Sequence, residues 1–111
     1  MANNQVATFH LIRGGLRYVK AAFHEVSIIW MDILPRLVWA HGSPEDRKRR
    51  RLNRLGREMA RKINGRDLGA IIVDIDNTTS GFFRVDGMHL SQVGLEMLFW
   101  SFKEKIADLL K

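Results

Sequence analysis

Two short apolar runs constrain this chain more than any other feature: Val26-Ser27-Ile28-Ile29-Trp30-Met31 and Ala70-Ile71-Ile72-Val73-Asp74-Ile75. Both are nearly continuous and rich in β-branched residues, which is how strands buried on both faces of a parallel sheet read. Pro35 prevents the first from continuing as regular structure. Parallel strands need a crossover of a dozen or more residues between them, and the intervening segment holds a well-marked helix. Ser43 is placed to cap it, Pro44 suits its first position, and Glu45 and Asp46 sit where the helix dipole favours negative charge. Leu52, Leu55, Met59 and Ile63 form a narrow apolar stripe, and Asn64-Gly65 ends the helix with residues that tolerate a left-handed backbone.

Before the first run, Val6, Phe9, Ile12, Leu16, Val19 and Phe23 recur at helical steps, interrupted by Gly14-Gly15. After the second, turn residues (Asn77, Thr78, Thr79, Ser80, Gly81) lead to a last helix, with Ser91 as cap and Leu95, Leu98, Phe102, Ile106 and Leu109 as inner face. The order helix, strand, helix, strand, loop, helix predicts an α/β fold. A two-stranded parallel sheet cannot normally cover both faces and both edges, so further strands on the N-terminal side are expected.

With 111 residues there is room for one domain, expected over 1–111 and truncated. A content of 46% hydrophobic and 27% charged residues excludes disordered and fibrous classes. The absence of cysteine excludes disulfide and thiolate chemistry. No apolar run approaches the roughly 20 residues of a membrane span, and the first residues lack the pattern of a signal peptide. The net charge of +6 resides in residues 45–62 alone, where nine Lys/Arg meet three Asp/Glu.

Chemistry concentrates in Phe83-Arg84-Val85-Asp86-Gly87-Met88-His89-Leu90-Ser91-Gln92-Val93-Gly94-Leu95. A carboxylate three residues before an imidazole, with glycine between to permit a tight turn, can reach the facing ring nitrogen. This block resembles the D-G-x-H-L-S-x-x-G segment of SGNH (GDSL-type) hydrolases. Ile28-Ile29-Trp30-Met31-Asp32-Ile33-Leu34-Pro35-Arg36 resembles the I-I-W-x-x-I-L-P-R strand of a vertebrate subgroup of that family, and Arg50-Arg51-Leu52-Asn53-Arg54 fits one of its helices. The resemblance implies the C-terminal half of a three-layer, doubly wound, flavodoxin-like parallel sheet. It also implies Asp86 and His89 as the acid–base part of a Ser-His-Asp triad acting on an ester, with no metal or cofactor. The family's Gly-Asp-Ser nucleophile turn has no counterpart here, and Ser27, Ser43, Ser80, Ser91 and Ser101 read as strand, cap, loop or helix positions. Neither do its oxyanion donors have secure counterparts, so the chain is expected to be inactive alone. An uncovered sheet edge further implies self-association or a partner there.

Two other patterns compete. Ile71-Ile72-Val73-Asp74-Ile75-Asp76-Asn77-Thr78 resembles the strand end of haloacid-dehalogenase-like phosphatases, which implies Asp74 as nucleophile, Asp76 as acid/base and Mg²⁺. No later Asp-Asp metal motif follows it. Arg47-Lys48-Arg49-Arg50-Arg51, continued by Arg54, Arg57, Arg61 and Lys62, reads as a solvated helix face or as a small basic module for nucleic acid or a protein partner. His10, His24 and His41 lack metal-ligand spacing and read as surface positions.

Overall fold

In a computed structural model of the protein the described residues are 2–73, 75–76 and 81–110, with side chains described from Ala7 onward. The elements run α1 (Ala2–Ala22), β1 (Trp30–Met31), α2 (Pro44–Asn64), β2 (Ala70–Ile71) and α3 (Gln92–Leu109). The strands pair in parallel, Trp30 with Ala70 and Met31 with Ile71, and the Asp32 N–H continues the ladder to the Ile71 carbonyl at 3.0 Å. This is the expected α/β arrangement in its general form, three helices with a parallel pair.

Both strands are shorter than their apolar runs, and for β1 the reason is α2. The Asn64 side chain accepts from the Ile28 N–H (2.9 Å) and donates to the Ile28 carbonyl (2.6 Å). Asn53 does the same to Ile33, at 2.6 and 3.1 Å. Side-chain amides thus take the place of a neighbouring strand on either side of β1. The spacing fits: eleven helical residues rise about 16–17 Å in just over three turns, keeping both amides on one face. Five extended residues cover about the same length. Beyond β2, the Ile75 N–H turns back to the Val73 carbonyl at 2.8 Å, which takes that segment out of the ladder.

Both ends of α2 match the capping signals. Ser43 accepts from the Asp46 N–H, and Gly65, at φ 74°, donates to the Arg61 and Lys62 carbonyls. Its inward face differs from the expected one. Asn53, Gly56, Met59 and Ala60 are buried, whereas Leu52, Leu55 and Ile63 are only half-buried. A Cβ at Gly56 would overlap the Trp30 indole, so the missing side chain is what lets strand and helix approach. Polar groups complete the seam. Asp46, fully buried, takes Arg49 Nη2 at 2.9 Å, Arg50 Nε at 3.2 Å and the Gly42 N–H at 3.2 Å. Asp32 holds Arg57 through both carboxylate oxygens. Burial pushes the Asp46 carboxyl up, but the Arg49 hydrogen bond, the Gly42 N–H and the two guanidinium charges outweigh it and leave it below the usual range.

The main apolar cluster is Ile71, Val73 and Ile75, packed against Ile29, Leu34, Phe82, Phe83, Leu90, Met97 and Leu98. Among the described residues of the second run, Ile71, Val73 and Ile75 are buried, whereas Ile72 is 59% exposed. Likewise only Leu95 and Leu98 of the expected α3 face are half-buried, and Phe102, Ile106 and Leu109 are exposed. No described layer lies over them. In α1, Phe9, Ile12 and Leu16 are half-buried, but Val19 is exposed and Phe23 falls beyond the helix end. The accessible surface, 7929 Å², exceeds the about 6,300 Å² expected of a compact chain of this mass. The radius of gyration, 15.3 Å, exceeds the corresponding about 13 Å. Among the described residues no helix is long and apolar enough to cross a membrane.

Candidate functional site

Asp86 and His89 lie in a short loop closed at its base by pairing between Phe83 and Leu90. The Arg84 N–H donates to the His89 carbonyl (2.8 Å), the Gly87 N–H to the Arg84 carbonyl (2.9 Å) and the Ser91 N–H to the Phe82 carbonyl (2.8 Å). Ser91 then caps α3 by accepting from the Gly94 N–H, while its own hydroxyl donates to the Gly81 carbonyl. Gly87 adopts φ 69°, and its carbonyl accepts from the Leu37 N–H at 2.9 Å. A Cβ there would lie 3.0 Å from Val38 Cγ1 and 3.3 Å from Leu37 Cβ, so both the turn and the close approach require glycine. The loop is thus pinned to the segment that follows Pro35.

Within it the two predicted residues meet as their spacing implied. Asp86 Oδ2 and His89 Nδ1 are 2.6 Å apart, and Asp86 Oδ1 accepts from the backbone N–H groups of Met88 (2.9 Å) and His89 (3.1 Å). A carboxylate only accepts, so Nδ1 carries the proton and Nε2 is left as the lone-pair nitrogen of the neutral ring. The His89 side chain is 72% exposed and opens to solvent. The His89 hydrogen bond, followed by the two backbone N–H groups, holds the Asp86 carboxyl far below the usual carboxylate range.

A lowered carboxyl contributes stability that is present above its unfolded value, near pH 4, and fades as pH falls through the folded value. The Asp86 side-chain ¹³C signal should accordingly remain that of a carboxylate at about pH 3, where free aspartate is mostly protonated. His89→Ala should move its midpoint upward, toward but not up to the free value, because the backbone donors persist. An unchanged midpoint would show that the imidazole does not hold the carboxylate.

The other candidates are not brought to this loop. The hydroxyls of Ser43 and Ser101 are engaged with backbone groups of their own helices, and Ser27 is exposed. Ser80 lies outside the described residues, as do Asp74, Asn77 and Thr78 of the competing phosphatase pattern; Asp76 is exposed. Among the described residues no group of three or more His, Asp or Glu is gathered as a metal site. His41 stands beside Arg50, with Nδ1 and Nη2 2.6 Å apart, and His10 beside Arg13 at 3.3 Å. Of the basic helix, Arg49, Arg50 and Arg57 serve Asp46 and Asp32 rather than only solvating a face. Sequence reasoning missed this role, together with the amides of Asn53, buried, and Asn64, half-buried. The available signal was polar residues recurring on the inward side of an otherwise regular helix.

Comparison with protein-family models, with curated proteins and with solved structures finds no match for this chain.

Proposed function

We propose that the chain carries the Asp–His portion of an acyl-ester hydrolase domain of the SGNH type, part of a doubly wound three-layer fold. The observation that supports it is the 2.6 Å contact between Asp86 Oδ2 and His89 Nδ1, with Asp86 Oδ1 locked by two backbone donors. That arrangement orients an imidazole whose Nε2 can take a proton from a serine hydroxyl as it attacks an ester carbonyl. Asp86 then stabilises the imidazolium, and the same Nε2 returns the proton to the leaving alkoxide. Nucleophile and oxyanion donors have to come from groups other than Ser43, Ser91 and Ser101, which are already engaged.

Two measurements test this. In ¹⁵N-resolved spectra above neutral pH, His89 should populate the Nδ1–H tautomer; a dominant Nε2–H tautomer would remove the base role. With p-nitrophenyl acetate the chain should hydrolyse no faster than background buffer. Turnover lost in both His89→Ala and Asp86→Ala would instead mean that one of the chain's own hydroxyls is recruited.

A further inference from the structure

The charge of α2 divides into two sets once its ion pairs are drawn. Arg49 and Arg50 are held by Asp46, Arg57 by Asp32 and Lys62 by Glu58. Arg47, Arg54 and Arg61 take no part in these pairs and are exposed. They recur every seven residues, which is close to two helical turns, so they form one straight row about 21 Å long. That row lies opposite the buried side carrying Gly56 and Ala60. Arg51 falls on the same outer face, and the acid there, Glu58, is paired with Lys62 at 3.3 Å. Capped at both ends and joined to the residues flanking β1 through Asn53 and Asn64, the helix presents this row as a rigid array.

We propose that the Arg47–Arg54–Arg61 row is a docking surface for the phosphate backbone of double-stranded nucleic acid, apart from the hydrolase reading and not dependent on it. A duplex carries one charge per about 1.7 Å, both strands counted, so a stretch as long as the row carries about a dozen phosphates, of which the three arginines would each meet one. Arginine forks suit phosphate oxygens. No aromatic side chain occurs in α2, so the stacking that single strands require has no platform. A membrane-surface helix would turn its apolar residues outward. Here Leu52, Leu55, Met59 and Ile63 are half-buried or buried. Contacts of arginines to phosphates carry no sequence information, so recognition by this row is of the backbone.

Fluorescence anisotropy with two labelled duplexes of unrelated sequence tests this on the full chain. Both should bind equally, with log Kd rising against log salt at a slope of about 3, the value for three phosphate contacts. Combined Arg47→Gln, Arg54→Gln and Arg61→Gln should weaken binding roughly tenfold or more at low salt and flatten the slope toward zero. The matching lysine replacements should keep the slope, which separates lost contacts from lost folding. Removing three other exposed charges, Arg17, Arg84 and Lys103, should leave the slope within about one unit. Equal weakening by the glutamine triple variant and by removal of Arg17, Arg84 and Lys103 would reduce the effect to net charge and overturn the proposal. So would absence of binding at low salt, or capture by phosphatidylserine vesicles without duplex binding.

Discussion

The combined substitution Asn53→Ala and Asn64→Ala should unfold the chain at 25 °C. Asn64→Ala strands the N–H and carbonyl of Ile28, whose backbone is buried under α2. Asn53→Ala strands the Ile33 N–H; the Ile33 carbonyl keeps a second donor, Arg49 Nη1 at 3.2 Å. Each orphaned buried group costs about 1–3 kcal/mol, which gives about 2–6 kcal/mol for the two groups of Ile28 and about 1 kcal/mol, the low end, for the N–H of Ile33, which is 36% exposed. The sites are too far apart to share partners, so the two costs should add. Their total rivals the lower end of domain stability, about 5 kcal/mol. Urea unfolding of the single variants followed by circular dichroism of the double variant checks this. Asn53→Leu keeps the volume and removes both hydrogen bonds. It should be nearly as damaging as alanine, whereas wild-type stability in that variant would mean Asn53 acts as a spacer.

Glycine-to-alanine changes should have opposite signs at two places in this chain. In a helix interior the exchange ordinarily stabilises by about 1 kcal/mol. Gly14→Ala and Gly15→Ala should show that gain, since a Cβ at either position meets nothing within 4 Å. Gly56→Ala should instead destabilise by about 1–3 kcal/mol, the cost of overpacking, because the new methyl would occupy the space of the Trp30 ring. Trp30→Phe should recover part of the loss by shrinking that ring. It also removes an indole N–H that is buried without a protein partner. The Gly56/Trp30 double-mutant cycle should therefore show a coupling of at least about 1 kcal/mol. Thermal unfolding of the five variants would settle the signs, and a stabilised Gly56→Ala would show that the indole can move aside.

Local physics made much of this chain readable from its residues. Ser43-Pro44 and Gly65 bound α2, and Ser91 begins α3, because caps act within one turn. The Asp86–His89 contact was readable for the same reason. Three residues and a glycine between them fix the geometry with no help from distant chain. The two apolar runs marked where the parallel pair lies, but not its length. What ends β1 is a side-chain amide reaching from a helix twenty residues or more away, and no periodicity of the strand itself records it.

Burial was likewise decided by tertiary structure. Ile71 and Ile72 are chemically identical neighbours, yet one belongs to the buried cluster that Met97 and Leu98 pack against while the other opens to solvent. Asp46 looked like a dipole-matching surface acid until the fold enclosed it and brought Gly42, Arg49 and Arg50 around it. A carboxylate's sequence neighbours say which cations are near; only the packed layers say whether water is excluded, and so whether those cations are structural partners or remain, like Arg54, on the open face.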